Sequence, residues 1–201
     1  MKKIRQILIG THNKGKIKEI RYLLNKKIKT ITPYELNIKS PAETGKNFRA
    51  NSELKARYFF NKAKFPTISD DSGLCVECLN GKPGIYSARW AKKYGNFNKA
   101  GKKIIELVKN KNKNKTIKNF KAKFVCSLTF YLNKKKKSTT IGVIEGKISE
   151  KLLGKKGFGY DPIFIPKNSK ITFGQMNKLK KILTDHRFEA FKKLKQKISI
   201  L

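Results

Sequence analysis

Acidic side chains are scarce in this chain. It carries 13 Asp and Glu against 49 Lys and Arg, a formal net charge of +36 over 201 residues. Cysteine is scarcer, at three. A small, odd number argues against a disulfide framework. Cys75 and Cys78 form a lone C-x-x-C with no second pair. On a strand, residues three apart face opposite sides, so one metal ion could not easily take both. No run approaches 18 apolar residues, so nothing is expected to span a membrane. The opening MKKIRQILIG turns from basic to apolar, but too briefly for a signal peptide. It reads as a first strand, in a cytoplasmic protein. The P-loop pattern G-x-x-x-x-G-K-[ST] is absent, and no Ser-His-Asp or Cys-His order supports nucleophilic catalysis.

Arginine is also rare, at six of the 49 basic residues. A dedicated nucleic-acid binder leans on arginine for bidentate phosphate and base contacts. Here lysine is spread over nearly every segment, alongside heavy use of Asn and Ile. The charge therefore reads mainly as a residue-usage bias, and no specific nucleic-acid partner is expected. Its field would still draw in polyanions, nucleotides included. The alternative, a basic nucleic-acid-binding protein without catalysis, rests on the charge alone.

With 38% hydrophobic residues the chain can bury a core, as a single domain over 1–201 or as two closely joined lobes. Ile4 to Gly10 reads as a buried strand. Thr11-His12-Asn13-Lys14-Gly15-Lys16 follows, and then Ile17, Ile20, Leu23 and Leu24 at helical spacing. Asn13 is placed to cap that helix. Its first N–H groups and Lys16 would attract phosphate. Ile28 to Pro33 is a second strand, and SPAETG (40–45), with Glu43, a loop. Lys46 to Lys64 is helical, with Phe48, Leu54, Phe59 and Ala63 as candidates for its buried face. Thr67 to Ser69 begins a third strand, with Asp70 and Asp71 at its end. Ile85 to Trp90 is a turn or short helix, Asn98 to Lys109 an amphipathic helix, and Asn110 to Lys118 an exposed loop. Phe120 to Leu132 and Ser138 to Ser149 form a hairpin. An amphipathic helix with Phe188, Phe191, Leu194 and Ile198 closes the chain, and Thr184 or Asp185 could cap it.

Two adjacent carboxylates in so basic a chain point to a bound cation. Asp70, Asp71 and Glu43 supply oxygen ligands without clustered His or Cys, which suits magnesium and its habit of sharing substrate phosphates. Lys16, Lys55, Lys181 and Arg187 would complete a polyphosphate site. Phe158, in GFGYD, can stack on a base, and His186 and Arg187 can donate to a base edge. Asp71 could act as general base on a water that attacks phosphorus.

THNKGK, SDDSGLCVECLNGKPGIYSARW, GFGYDPIF and the closing DHR resemble the four signatures of the inosine triphosphate pyrophosphatase family, also called the Ham1 family. They fall in the family's order and span Thr11 to Arg187. The resemblance implies an α/β fold, a long mixed sheet with flanking helices forming two lobes around a central cleft. It implies hydrolysis of dITP, ITP and XTP to monophosphate and pyrophosphate, a Mg2+ requirement and a homodimer. Residue by residue, it implies Thr11, His12, Asn13, Lys14, Gly15 and Lys16 as the phosphate loop, and Lys55 and Ser72 on substrate. Phe158, Gly159, Tyr160 and Asp161, with Lys181, His186 and Arg187, would hold the base. Asp71 would be the proton acceptor and, with Glu43, a metal ligand. Asp185 stands where the family usually has Ser, and Ile182 where Asn is common.

Overall fold

The structure, a computed structural model, describes residues 4–198. In chain order its elements are β1 (Gln6–Ile9), α1 (Lys14–Leu23), β2 (Lys29–Ile31), α2 (Phe48–Ala63), β3 (Thr67–Val76), α3 (Ser87–Lys93) and α4 (Phe97–Asn112). Then come β4 (Lys121–Asn133), β5 (Lys136–Ile148), β6 (Phe164–Pro166), α5 (Lys178–Ile182) and α6 (His186–Lys197). The strands form one six-stranded mixed sheet in the order β2-β1-β3-β4-β5-β6. β1 runs parallel to β2 and β3, with Gln6 opposite Lys29 and Leu8 opposite Thr67. β5 and β6 are antiparallel. The α/β class expected from the sequence is the one observed.

By internal contacts the chain divides into two units. The first takes in the chain up to Asp71, Cys126–Gly142 and the chain from His186; the second is Ser72–Val125 with Val143–Asp185. Each has its own core. In the first, Ile7 and Ile9 of β1 pack with Ile17 and Ile20 of α1, Leu128 and Phe130 of β4, and Phe191 and Leu194 of α6. In the second, Leu74 and Val76 of β3 pack with Ile104 and Val108 of α4 and with Phe124, Phe164 and Phe173. The helical spacing of α1, α4 and α6 is thus an apolar stripe turned onto a sheet, as the periodicity predicts.

α2 departs from that rule. Its buried face is Asn51, Ser52, Lys55, Ala56 and Phe59, while Phe48, Leu54 and Ala63 are only half-buried. Polar groups can be buried there because each finds a partner. The Ser52 hydroxyl pairs with Ser127 at 2.9 Å and Thr129 at 2.8 Å, both on β4. β4 is accordingly buried on both faces from Phe124 to Tyr131, apolar on one and hydroxyl-bearing on the other. Two further boundaries differ from expectation. β3 continues through Asp70 and Asp71 to Val76, so the acids lie mid-strand rather than at a strand end. α4 extends to Asn112, whose buried side-chain amide donates to Val108 and Asn119 carbonyls and so shortens the expected loop.

Glu53 of α2 accepts hydrogen bonds from Lys137 (2.6 Å), Arg49 (3.0 Å) and Thr139 (3.0 Å). Partial burial disfavours its charge, but these donors outweigh that and bring the carboxyl from 4.5 down to about 2. A lowered carboxyl stabilises the fold above its unfolded pKa, and that contribution is lost as pH falls through the folded value. Glu53→Gln should therefore lower stability at neutral pH by about 1 kcal/mol after solvent screening, seen as a lower melting temperature. The difference should shrink below pH 4.5. A melting difference that stays flat down to about pH 3 would remove this role.

Candidate functional site

The first unit's cluster begins where β1 ends. Gly10 is buried where an added Cβ would collide with Ser69 and Phe59, so only glycine fits that approach. The turn that follows is built from its own side chains. Asn13 N–H donates to the Thr11 hydroxyl at 3.2 Å, and Asn13 Oδ1 accepts from Lys16 N–H at 3.1 Å, capping α1 as expected. Tyr34 O–H donates to the His12 carbonyl at 2.8 Å, and His12 Nδ1 lies 2.6 Å from Ser40 Oγ. The start of α1 bears no acid in its first turn, so its dipole and Lys16 act together on an anion.

Neighbouring residues of a strand face opposite sides, and Asp70 and Asp71 of β3 accordingly have different surroundings. Asp71 Oδ2 accepts from Asn51 Nδ2 at 2.9 Å, and its Oδ1 lies 3.9 Å from Lys55 Nζ. The same ammonium donates to Glu43 Oε1 at 2.6 Å. Burial pushes the Asp71 carboxyl up, and the Lys55 charge offsets only part of this. Burial works against the charge of Lys55 too, but Asp71, Asp70 and Glu43 outweigh it and raise its pKa. Asp70 is fully buried, with Lys16 Nζ 3.1 Å and Arg187 Nη2 3.0 Å from its Oδ2. Burial alone would raise its pKa, but the charges of Lys16, Arg187 and Lys55 hold it well below the usual carboxylate range. The two neighbours are thus shifted in opposite directions, Asp70 down by its cations and Asp71 up by burial.

The second unit's cluster is organised by Asp161. Phe158 N–H donates to its Oδ2 at 2.8 Å, across a turn that Gly157 enters at φ +76°, a region glycine favours. Lys181 Nζ lies 3.6 Å from Asp161 and 3.0 Å from Asp185, and 4.8 Å from the centre of the Phe158 ring. Asp185 thus serves as a counter-ion to Lys181. Gly159 is at φ +68°, and Ser72, half-buried on β3, belongs to this unit.

Two predicted site residues are placed differently. Tyr160, expected beside a base, is buried in the second core, with its O–H donating to the Ser87 carbonyl at 3.1 Å and its ring edge-on to Phe97. Arg187, expected to present its guanidinium to a base edge, has no exposed surface and is ion-paired with both Glu19 and Asp70. Both of its terminal nitrogens thus pair with a buried carboxylate. His186 is also buried. Asn51 and Glu19 were missed by sequence reasoning. Asn51 stands four residues before Lys55, one turn away on the same face, and Glu19 is the only acid of α1; those were the available signals.

Among the described residues no group of three His, Cys, Asp or Glu forms a metal cluster. Glu43 and Asp71 nevertheless converge on one ammonium, that of Lys55, and so share a point where positive charge is stabilised. Two carboxylates, completed by water and substrate phosphates, are what magnesium uses at such sites, so the donor set fits that ion. The cysteines do not enter it: Cys75 lies in β3, Cys78 in the turn after it, and burial raises both thiols.

A sequence profile of the Ham1 family matches residues 7–197. The dITP/XTP pyrophosphatase of Dictyoglomus thermophilum is 40% identical over 195 residues, covering 95% of this chain and 93% of that protein. The dITP/XTP pyrophosphatase of Haemophilus influenzae is 38% identical over 197 residues, covering 96% and 98%. The structure of a HAM1 protein from Coxiella burnetii superimposes with a TM-score of 0.85 at 30% identity, covering 98% of this chain and 99% of that one.

Proposed function

The chain belongs to the Ham1 family, and from that premise we propose that it hydrolyses dITP, ITP and XTP to the monophosphate and pyrophosphate, with Asp71 as general base. It is a nucleoside-triphosphate pyrophosphatase acting on non-standard purine nucleotides. The observation that carries the mechanism is the contrast between Asp70 and Asp71. Two neighbouring carboxyls whose surroundings drive them apart separate a fixed charge from a proton acceptor.

In this reading the first turn of α1, with Thr11, Asn13 and Lys16, receives the phosphates, flanked by His12, Lys14 and Gly15. Asp71 takes the proton of the attacking water, held in place by Asn51 and Lys55. Lys16 and Lys55 face the negative charge that grows on the leaving pyrophosphate. Glu43 and Asp71 would hold Mg2+, which supplies Lewis-acid stabilisation of phosphate charge. Ser72, Phe158, Gly159, Asp161, Lys181 and His186 are assigned to the substrate, and a homodimer belongs to the same proposal. Tyr160 and Arg187 contribute by supporting their neighbours. The keto oxygen at C6 of hypoxanthine and xanthine is an acceptor, whereas adenine offers a donor. Buried donors left unpaired by the wrong base give large discrimination.

The test is a substrate panel. Purified protein with Mg2+ should release pyrophosphate from ITP, dITP and XTP faster than from ATP or GTP. Equal or faster turnover of ATP and GTP would overturn the specificity, and release of single phosphate would overturn the reaction class.

A further inference from the structure

The mechanism above gives Asp70 no task beyond its fixed charge, although it is the more deeply buried of the two acids and the one most tightly bound to cations. We propose that Asp70 is a positioning residue: anchored by Arg187, its carboxylate fixes the Lys16 ammonium in the first turn of α1, where the leaving pyrophosphate is received. This rests on the pyrophosphatase reading of the site.

The geometry is a row of four linked charges. Lys16 and Glu19 stand one turn apart on α1, Asp70 on β3 and Arg187 on α6. Asp70 Oδ2 lies 3.1 Å from Lys16 Nζ and accepts from Arg187 Nη2 at 3.0 Å, and Arg187 pairs through Nη1 with Glu19, back on α1. Two positive and two negative charges cancel, which makes such deep burial tolerable. The Asp70 and Arg187 side chains are 0% exposed and that of Glu19 7%, whereas Lys16 keeps 13%. Lys16 is therefore the member that reaches outward, and the other three form its mount.

A lysine needs such a mount. Its ammonium is a point charge on a flexible stem that carries about 2 kcal/mol of rotamer entropy. A carboxylate so close has an opposing effect, because it cancels part of the ammonium's field at a bound anion. Asp70 thus weakens ground-state attraction for phosphate and supplies alignment instead. Alignment shows in the transition state, where a misplacement of about 1 Å can cost a hundredfold in rate. The signature is a split: loss of Asp70 leaves polyphosphate binding as tight or tighter and makes catalysis slower.

The experiment is a double-mutant cycle with Asp70→Asn, Lys16→Met and the pair. It is read by ITP turnover with Mg2+ and by calorimetric titration with inorganic tripolyphosphate, whose stoichiometry counts the competent sites. Asp70→Asn should lower kcat per competent site about tenfold and bind tripolyphosphate at least as tightly as the unchanged protein. In the Lys16→Met background it should change neither quantity. A kcat loss that persists in that background, or an unchanged kcat, overturns the proposal, as does weakened tripolyphosphate binding by Asp70→Asn. If Asp70→Asn does not fold, Asp70→Glu keeps the charge, displaces it by one methylene, and should show the same Lys16-dependent loss. Failure of the unchanged protein to hydrolyse any nucleotide of the panel would overturn the function reading. The positioning role would then stand or fall on tripolyphosphate alone: Asp70→Asn must tighten binding severalfold with Lys16 present and leave it unaltered with Lys16→Met.

Discussion

Asp71→Asn should reduce pyrophosphate release from ITP by about 10²- to 10⁴-fold, the range general-base catalysis contributes, while leaving the far-ultraviolet circular dichroism unchanged. The substitution is nearly isosteric. Its amide oxygen can still accept from Asn51 Nδ2, which reaches Asp71 Oδ2 at 2.9 Å, and Lys55 keeps its shorter contact with Glu43 at 2.6 Å. What disappears is a carboxylate that burial makes willing to take a proton. Asp70→Asn is the informative comparison, because its carboxylate is held charged by Lys16 and Arg187 and its expected loss is about tenfold and dependent on Lys16. Near-normal turnover by Asp71→Asn would remove it as proton acceptor. Equal losses at the two positions, both independent of Lys16, would show that the contrast between them has no catalytic meaning.

Arg187→Met should destabilise the fold by about 3–5 kcal/mol, the cost of removing one partner from a buried ion pair. For a chain of this size that is a melting decrease on the order of 10 °C. Arg187 has no exposed surface, and its loss leaves Glu19 and Asp70 buried with one cation fewer. Adding Glu19→Gln should restore part of the loss, because it removes one stranded charge, while Asp70 retains Lys16. Thermal unfolding of the three proteins checks both statements. A guanidinium that merely faced a base could be replaced with little effect on stability, so a melting change within about 2 °C would return Arg187 to that role.

Much of the fold was legible because it follows from local patterns. Ile17 and Ile20 mark the inner face of α1, Asn13 caps it, and Phe124, Cys126, Leu128 and Phe130 alternate along β4. These readings need only the periods of helix and strand and the chemistry of a cap. α2 was harder, because its buried face is polar: apolar spacing pointed to Phe48 and Leu54, whereas Asn51, Ser52 and Lys55 turn inward. That inversion is stable only because β4 offers Ser127 and Thr129 and β3 offers Asp71, residues 20 to 77 positions away. No local window contains both members of such a pair. The acidic residues behaved similarly. Their adjacency pointed to a bound cation, but not to which carboxylate faces which of the chain's own cations.

The sequence alone determined the α/β architecture, the capped helix after β1 and the assignment to the Ham1 family. Each is a property of neighbouring residues or of a short motif. Only the tertiary structure decided that Asp70 pairs with Lys16 and Arg187 and that Arg187 pairs in turn with Glu19, that Tyr160 is core, and that Lys181 sits between Asp161 and Asp185. The physical reason is that a charge takes its meaning from what surrounds it. Burial and partners drawn from distant parts of the chain determine whether a carboxylate is a fixed anion or a base, and whether an arginine reads a ligand or holds the fold.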